Sequence, residues 1–462
     1  MDSYIEKLRV KCPWIEKLYE SKIYPPAIAL LVALGHITAT EFYCNILLLL
    51  SVSFGLLVCK RTLFMITPTV AFIYQIPLSH SPGFPTFSEY YFEGARLYIL
   101  LALAALTLFC LQRRFVENMR GRLDKKTPLS LPLIILSATL LLNGAFSAEW
   151  SVYSTVMGLV QVVSFFPVFY LFYFGLEGIS AEELINYFCY ATLCISFVLA
   201  AEMANMFITY EGIISDGAIV KDKVNLGWGI WNPVGFSLTV LLPMLLFGAM
   251  RMSCPALYLS AAFLTYGGAL LTMSRNALIF ATLAFAVCLA IGSLFGKRKK
   301  LFRITTIVCI FAVITLLIVF GDKIAELFSR LFEQGISDNG RFDLWKIGID
   351  NFLSSPIFGT GFFGYGETDV FEAASFIPTM AHNTVVQLLS ATGILGLLAY
   401  GFYRVKTLIP LFRKPTLEKS MLYLPLLLLL GMSLLDNFVF YLYTVFYANA
   451  ALAIIFRIED GE

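Results

Sequence analysis

The sequence predicts an all-α polytopic membrane protein, with about fourteen transmembrane helices and a large extracytoplasmic loop that contains short helices. Three observations carry this. The chain is 59% hydrophobic and only 14% charged, where a soluble chain carries ~25% charged residues. Its apolar runs repeatedly approach or reach the ~17–25 residues that a membrane helix needs. They are unbroken runs rather than alternating ten-residue segments, so helices rather than a barrel span the bilayer. Its basic residues fall mainly on alternate connections between the runs.

Residues 1–25 hold Lys7, Arg9, Lys11, Lys17 and Lys22 without an apolar core. They read as a cytoplasmic N-terminal segment, and no cleavable signal is expected. Apolar spans follow at 26–42, 43–59, 62–79, 96–112, 128–146, 153–175, 183–208, 230–250, 255–272, 276–295, 304–320, 383–403, 420–436 and 438–456. A single transmembrane domain is thus expected over 26–456, with a large loop at 321–382 and a cytoplasmic tail at 457–462. With the N-terminus inside, only eight of the 33 basic residues lie outside, among them Arg96, Lys221, Arg275 and Arg341. Both termini are therefore expected in the cytoplasm, and the 321–382 loop outside. The outer side has neither ATP nor nucleotide sugars, so chemistry there needs a substrate that is already activated and carried by the membrane.

The other elements add limits. The nine cysteines form no CxxC pair, so they read as small apolar residues rather than a disulfide framework or thiolate metal site. The net charge of +2 does not point to nucleic acid. Residues 80–95 and 209–229 form outer loops, the second with Lys221 and Lys223. Ile324, Leu327, Phe328, Leu331 and Phe332 repeat at helical spacing and predict an amphipathic interfacial helix. A second short helix is expected after Asn339-Gly340, with Phe342, Trp345, Ile349 and Phe352 on one face and Pro356 as its stop.

Arg341 would open that helix. Free backbone N–H groups and a planar guanidinium together suit phosphate. The competing reading is a surface arginine paired with Asp338 or Asp343. Arg275 lies in Thr272-Met273-Ser274-Arg275-Asn276, a short outer turn. A charge at a membrane boundary is costly unless it is used or snorkels. Arg96, at a comparable helix end, is a third candidate. His382, one of three histidines, begins a membrane helix and offers a general base; the alternative is a capping role. His36 and His80 read as structural. Gly359-Thr360-Gly361-Phe362-Phe363-Gly364 matches GxGxxG, yet it follows a helix rather than a strand, so a close-packing loop is the better reading. No HExxH, DxD or Cys/His cluster faces outward, so neither a metal nor any other cofactor is expected. Two anion binders and a base suit glycosyl transfer from a lipid diphosphate: cations stabilise the leaving group, and the base takes the proton of the acceptor hydroxyl.

These residues resemble the O-antigen ligase and polymerase superfamily of bacterial membrane glycosyltransferases, of the GT-C type. The matching pieces are Asn232 in Trp231-Asn232-Pro233, Ser274-Arg275-Asn276, Gly340-Arg341-Phe342-Asp343-Leu344-Trp345, Ser355-Pro356-Ile357-Phe358-Gly359-Thr360-Gly361, and His382-Asn383 running into Thr392-Gly393-Ile394-Leu395-Gly396-Leu397. The similarity covers roughly residues 130–455. It implies diphosphate-binding roles for Arg275 and Arg341, a histidine base at His382, and supporting positions at Asn232, Trp345 and Asn383. It also implies an undecaprenyl-diphosphate-linked oligosaccharide as donor and acceptor, membrane lipids as surroundings, and the bacterial inner membrane as location. A chain-length co-polymerase is a conceivable partner; nucleic acid is not. Among the family's activities a polymerase is expected, because the spans outnumber those of the ligases. A ligase acting on lipid A-core and a protein-directed transferase are the alternatives. A lipid-linked glycan transporter is the reading from another class.

Overall fold

The computed structural model describes residues 11–76, 94–120, 127–215, 218–332, 341–362, 381–413 and 415–461. The described residues form sixteen helices and one two-stranded hairpin. The helices begin with α1 (Pro13–Tyr19), α2 (Tyr24–Ile37), α3 (Glu41–Val58) and α4 (Ile66–Ala71, flanked by 3-10 turns), followed by α5 (Arg96–Met119), α6 (Ser130–Leu141), α7 (Val152–Gly175) and α8 (Ala181–Thr209). The hairpin pairs β1 (Ile214–Ser215) with β2 (Ala218–Ile219), and a 3-10 turn follows over Lys221–Lys223. Next come α9 (Trp231–Arg251), α10 (Pro255–Leu271), α11 (Arg275–Phe295) and α12 (Lys299–Phe332). The chain closes with α13 (Arg341–Ser354), α14 (Thr384–Phe412), α15 (Leu417–Met432) and α16 (Leu442–Gly461).

The fold is that of a helical membrane protein. Among the described residues, seven helices are long and apolar enough to cross a bilayer: α3, α5, α7, α8, α9, α11 and α14. Fourteen crossings do not emerge among the described residues. The expected span at 26–42 becomes α2, of 14 residues, whose length of about 21 Å falls short of the ~30 Å hydrocarbon core. The expected span at 62–79 breaks into 3-10, α and 3-10 pieces over Leu63–Gln75. The span at 128–146 shortens to α6.

Central to the bundle is α9. Every residue from Pro233 to Met250 is buried, so a helix apolar all round sits inside the protein rather than against lipid. Pro233 lies in its first turn, where a missing N–H costs nothing. The loop that leads into α9 is pinned to α8. The Trp228 indole N–H donates to the Glu202 carboxylate at 2.8 Å, and both residues are buried. At its far end, Arg251 pairs with Glu182 and Glu418. The two ends of α9 thus differ: one is ion-paired, and the other gathers the groups described below.

Two further differences concern the expected 321–382 loop and the span that follows it. It does not begin at Gly321, because α12 continues as one helix to Phe332. Its 34 residues make a rod of about 51 Å, longer than a bilayer core; a lone glycine does not end a helix. The expected span at 383–403 is broken at Gly393 (φ 64°, ψ −164°), so α14 is two helices end to end. The Ser355–Gly361 turn satisfies the backbone at that break: Thr360 N–H donates to Ser390 O at 2.8 Å, Gly361 N–H to Ala391 O at 3.0 Å, and Ile394 N–H to Pro356 O at 2.9 Å. Broken helices survive at membrane depth only with such partners. Gly359 (φ 70°) must be glycine here, since a Cβ would stand 2.4 Å from the Ala391 carbonyl carbon. The glycine run is therefore a packing loop; its Phe363 and Gly364 lie outside the described residues, as do the 80–93 stretch and the Asp338-Asn339-Gly340 turn. All nine cysteines are free; six are buried, Cys12 and Cys309 are half-buried, and Cys254 is exposed rather than packed inside.

Candidate functional site

Arg275 and His382 are presented by the same local device. Met273 (φ 54°) and His382 (φ 47°) both adopt the left-handed conformation that non-glycine residues avoid. Each is followed by a capping residue and a helix. Ser274 caps α11, its hydroxyl accepting from Ala277 N–H at 3.4 Å, and Arg275 is the first helical residue. Asn383 caps α14, its carbonyl oxygen accepting from Val385 N–H at 2.9 Å and Val386 N–H at 3.2 Å. The Asn383 amide also donates to Leu434 O at 3.0 Å, tying α14 to the end of α15.

The turn before α14 is held on both sides. Trp345 of α13 donates its indole N–H to Ala381 O at 2.6 Å. Ala381 N–H donates to the Gln387 side-chain oxygen at 3.0 Å, which also accepts from the Asn437 amide at 3.2 Å. These bonds fix the backbone on which the His382 ring stands.

The imidazole meets a carboxylate. His382 Nδ1 is 3.1 Å from Asp436 Oδ1. The Asp436 side chain is 3% exposed and that of His382 33%, so the acid is enclosed while the ring reaches the surface. Asp436 Oδ1 also accepts from Asn437 N–H at 2.8 Å, and Oδ2 from the Asn232 amide at 3.5 Å. Asn232 Oδ1 accepts in turn from Ser274 Oγ at 2.7 Å. One chain of contacts therefore runs His382–Asp436–Asn232–Ser274, and it ends beside Arg275. With Nδ1–H donating to Asp436, Nε2 keeps its lone pair for a substrate proton.

Positive charge gathers at the same end. The Lys221 ammonium lies 5.1 Å from the centre of the Trp231 ring, at the first residue of α9. Burial, together with the Arg275 and Arg341 guanidiniums, pushes its pKa below the usual lysine range, while Asp222 opposes the shift. Arg275 and Arg341, far apart in sequence, thus act on one ammonium. The guanidinium of Arg96 stands 5.7 Å from the centre of the Phe42 ring of α3. Among the described residues, no three His, Cys, Asp or Glu side chains gather as a metal site would require.

Sequence reasoning missed Asp436. It is the last residue of the expected span 420–436, next to Asn437, which separates that span from 438–456. The alternation of basic residues between connections gives an acidic residue no weight, so it passes over Asp436. Lys221 was visible as an outer-loop cation, but only the fold brings it against Trp231.

By fold and site, this is a helical membrane protein that collects a histidine–aspartate pair and several cations at one end of its central helix. Residues 260–401 match the family model described as O-antigen ligase, so this part of the chain is similar to the O-antigen ligase/polymerase superfamily. No curated protein matches the chain. The matched stretch includes Arg275, Arg341, Trp345, His382 and Asn383; it leaves out Lys221, Asn232 and Asp436. The superfamily supports glycosyltransferase-type activity on lipid-linked sugars in a membrane.

Proposed function

We propose that the chain is a polysaccharide polymerase. In this reading it transfers an undecaprenyl-diphosphate-linked glycan onto the acceptor hydroxyl of a second lipid-linked repeat, at the outer face of the bacterial cytoplasmic membrane. The observation that carries the reading is the 3.1 Å contact between His382 Nδ1 and Asp436 Oδ1, linked through Asn232 and Ser274 to the arginine-bearing turn.

The reaction needs one base and one anion hole. The acceptor oxygen attacks the anomeric carbon, and its proton passes to His382 Nε2. The bond from the anomeric carbon to the diphosphate oxygen breaks, and the electron pair leaves with the diphosphate. Arg275 and Arg341 stabilise that departing charge, which grows as the bond lengthens. Asp436 holds the ring in the tautomer that leaves Nε2 open, and favours the imidazolium once formed. Trp345 and Asn383 fix the turn that aims the ring. No step calls for a metal, so EDTA is expected to leave the activity unchanged.

The polymerase is carried over from the sequence reading; the span count does not separate it from a ligase, since among the described residues seven helices rather than fourteen are long and apolar enough to cross a bilayer. The test is product identity. Purified protein given lipid-linked repeat alone should build a ladder of longer lipid-linked glycans. A ligase or protein-directed transferase would leave the repeat unextended until lipid A-core or a protein acceptor is added. A transporter would leave it unextended in both cases. The match gives no support for a chain-length co-polymerase, and ladder formation by the purified chain needs none.

A further inference from the structure

We infer that Lys221 is a third cationic ligand of the substrate diphosphate, reaching it from the hairpin side of the site. This rests on the proposed transfer reaction and adds a residue that lies outside the family match, which begins at residue 260.

The position of Lys221 is set by its contact with Trp231. Its ammonium stands over the Trp231 ring at 5.1 Å, and Trp231 adjoins Asn232, which takes the Ser274 hydroxyl bond at 2.7 Å. Ser274 adjoins Arg275. Three consecutive links therefore bring the hairpin lysine to the arginine turn. From the other side, Arg341 opens α13, which is bonded through Trp345 to the turn that carries His382.

No carboxylate forms an ion pair with Lys221 among the described residues; the charge of Asp222 favours the ammonium, while those of Arg275 and Arg341 oppose it. Lys221 is half-buried. Like charges converging where water is scarce are costly. A ligand with two linked phosphates offsets that cost; one with a single phosphate offsets less of it. Lysine also suits the task differently from arginine, as a compact point charge on a flexible stem beside two planar forks. A cation resting on an aromatic face keeps its full charge and its donors, so it can still meet an anion from its open side.

The test uses the full-length protein in nanodiscs, with undecaprenyl diphosphate and undecaprenyl monophosphate as probes. Lys221→Met is expected to weaken diphosphate binding by about tenfold or more, and monophosphate binding by clearly less. Lys221→Arg is expected to recover most of the loss, and the melting temperature of both variants to stay at that of the wild type. With donor substrate, Lys221→Met should raise KM more than it lowers kcat. Inorganic pyrophosphate should compete in the wild type and lose that ability in Lys221→Met. Wild-type diphosphate binding by Lys221→Met, or an equal loss for both lipids, overturns the inference. Arg275→Ala and Arg341→Ala separate the two levels. If they lose binding while Lys221→Met does not, only the lysine assignment fails. If all three bind as wild type does, the proposed function fails with it.

Discussion

His382 and Asp436 stand 54 residues apart in sequence, yet their side chains meet at 3.1 Å. The carboxylate is enclosed and held by the Asn437 and Asn232 donors. This arrangement gives the imidazole a direction, which a histidine at a helix start lacks by itself. Asp436→Asn is expected to lower the transfer rate by about 100-fold or more, because an amide that donates to Nδ1 imposes the wrong tautomer. Steady-state kinetics with a lipid-linked repeat reads this. A rate within a factor of about two of wild type would leave the pair a structural contact.

Asn232 and Ser274 couple the base to the arginine turn. Each alanine variant should reduce the rate, and the double variant should lose less than the sum of the two. Neighbouring groups in one network show interaction energies of about 0.5–3 kcal/mol. A double-mutant cycle measures it, and strict additivity would show that the 2.7 Å contact carries no function.

Trp345 reaches the same turn from α13 through one bond to Ala381 O. Trp345→Phe keeps the ring and removes the donor. It is expected to lower kcat with a smaller change in stability, since a neutral hydrogen bond contributes about 0.5–1.5 kcal/mol net. A melting temperature that collapses while the residual activity per folded molecule stays normal would assign Trp345 to folding alone.

The break in α14 should be sensitive to a single methyl group. At Gly393 a Cβ would lie 2.3 Å from Ile357 O, and its φ of 64° is left-handed. Gly393→Ala is expected to destabilise the protein by several kcal/mol through strain and overlap. Thermal unfolding in detergent checks this; a stability equal to wild type would show that the break relaxes at little cost.

The helical class was legible because hydrophobicity is a summed property and survives errors in single boundaries. Arg275, Arg341 and His382 could be proposed from the sequence because each stands where an apolar run begins or a polar turn ends. The crossing count was not legible. Runs such as 26–42 and 62–79 look continuous in composition, but left-handed Ala39 and the 3-10 turns around α4 divide them. Asp436 was hidden for a different reason. A buried acid draws its meaning from a partner 54 residues away, and no local pattern encodes that pairing. Gly393 lies inside the expected span 383–403, and the break there depends on partners from the distant Ser355–Gly361 turn.

The most direct test of the account is His382→Asn assayed on a lipid-linked repeat. Asparagine tolerates the left-handed backbone at this position, so the turn should persist while the base is gone. The account predicts a folded protein that still binds the lipid diphosphate and whose glycan ladder falls by about 100- to 10,000-fold. A folded His382→Asn protein that extends glycan at the wild-type rate would contradict it.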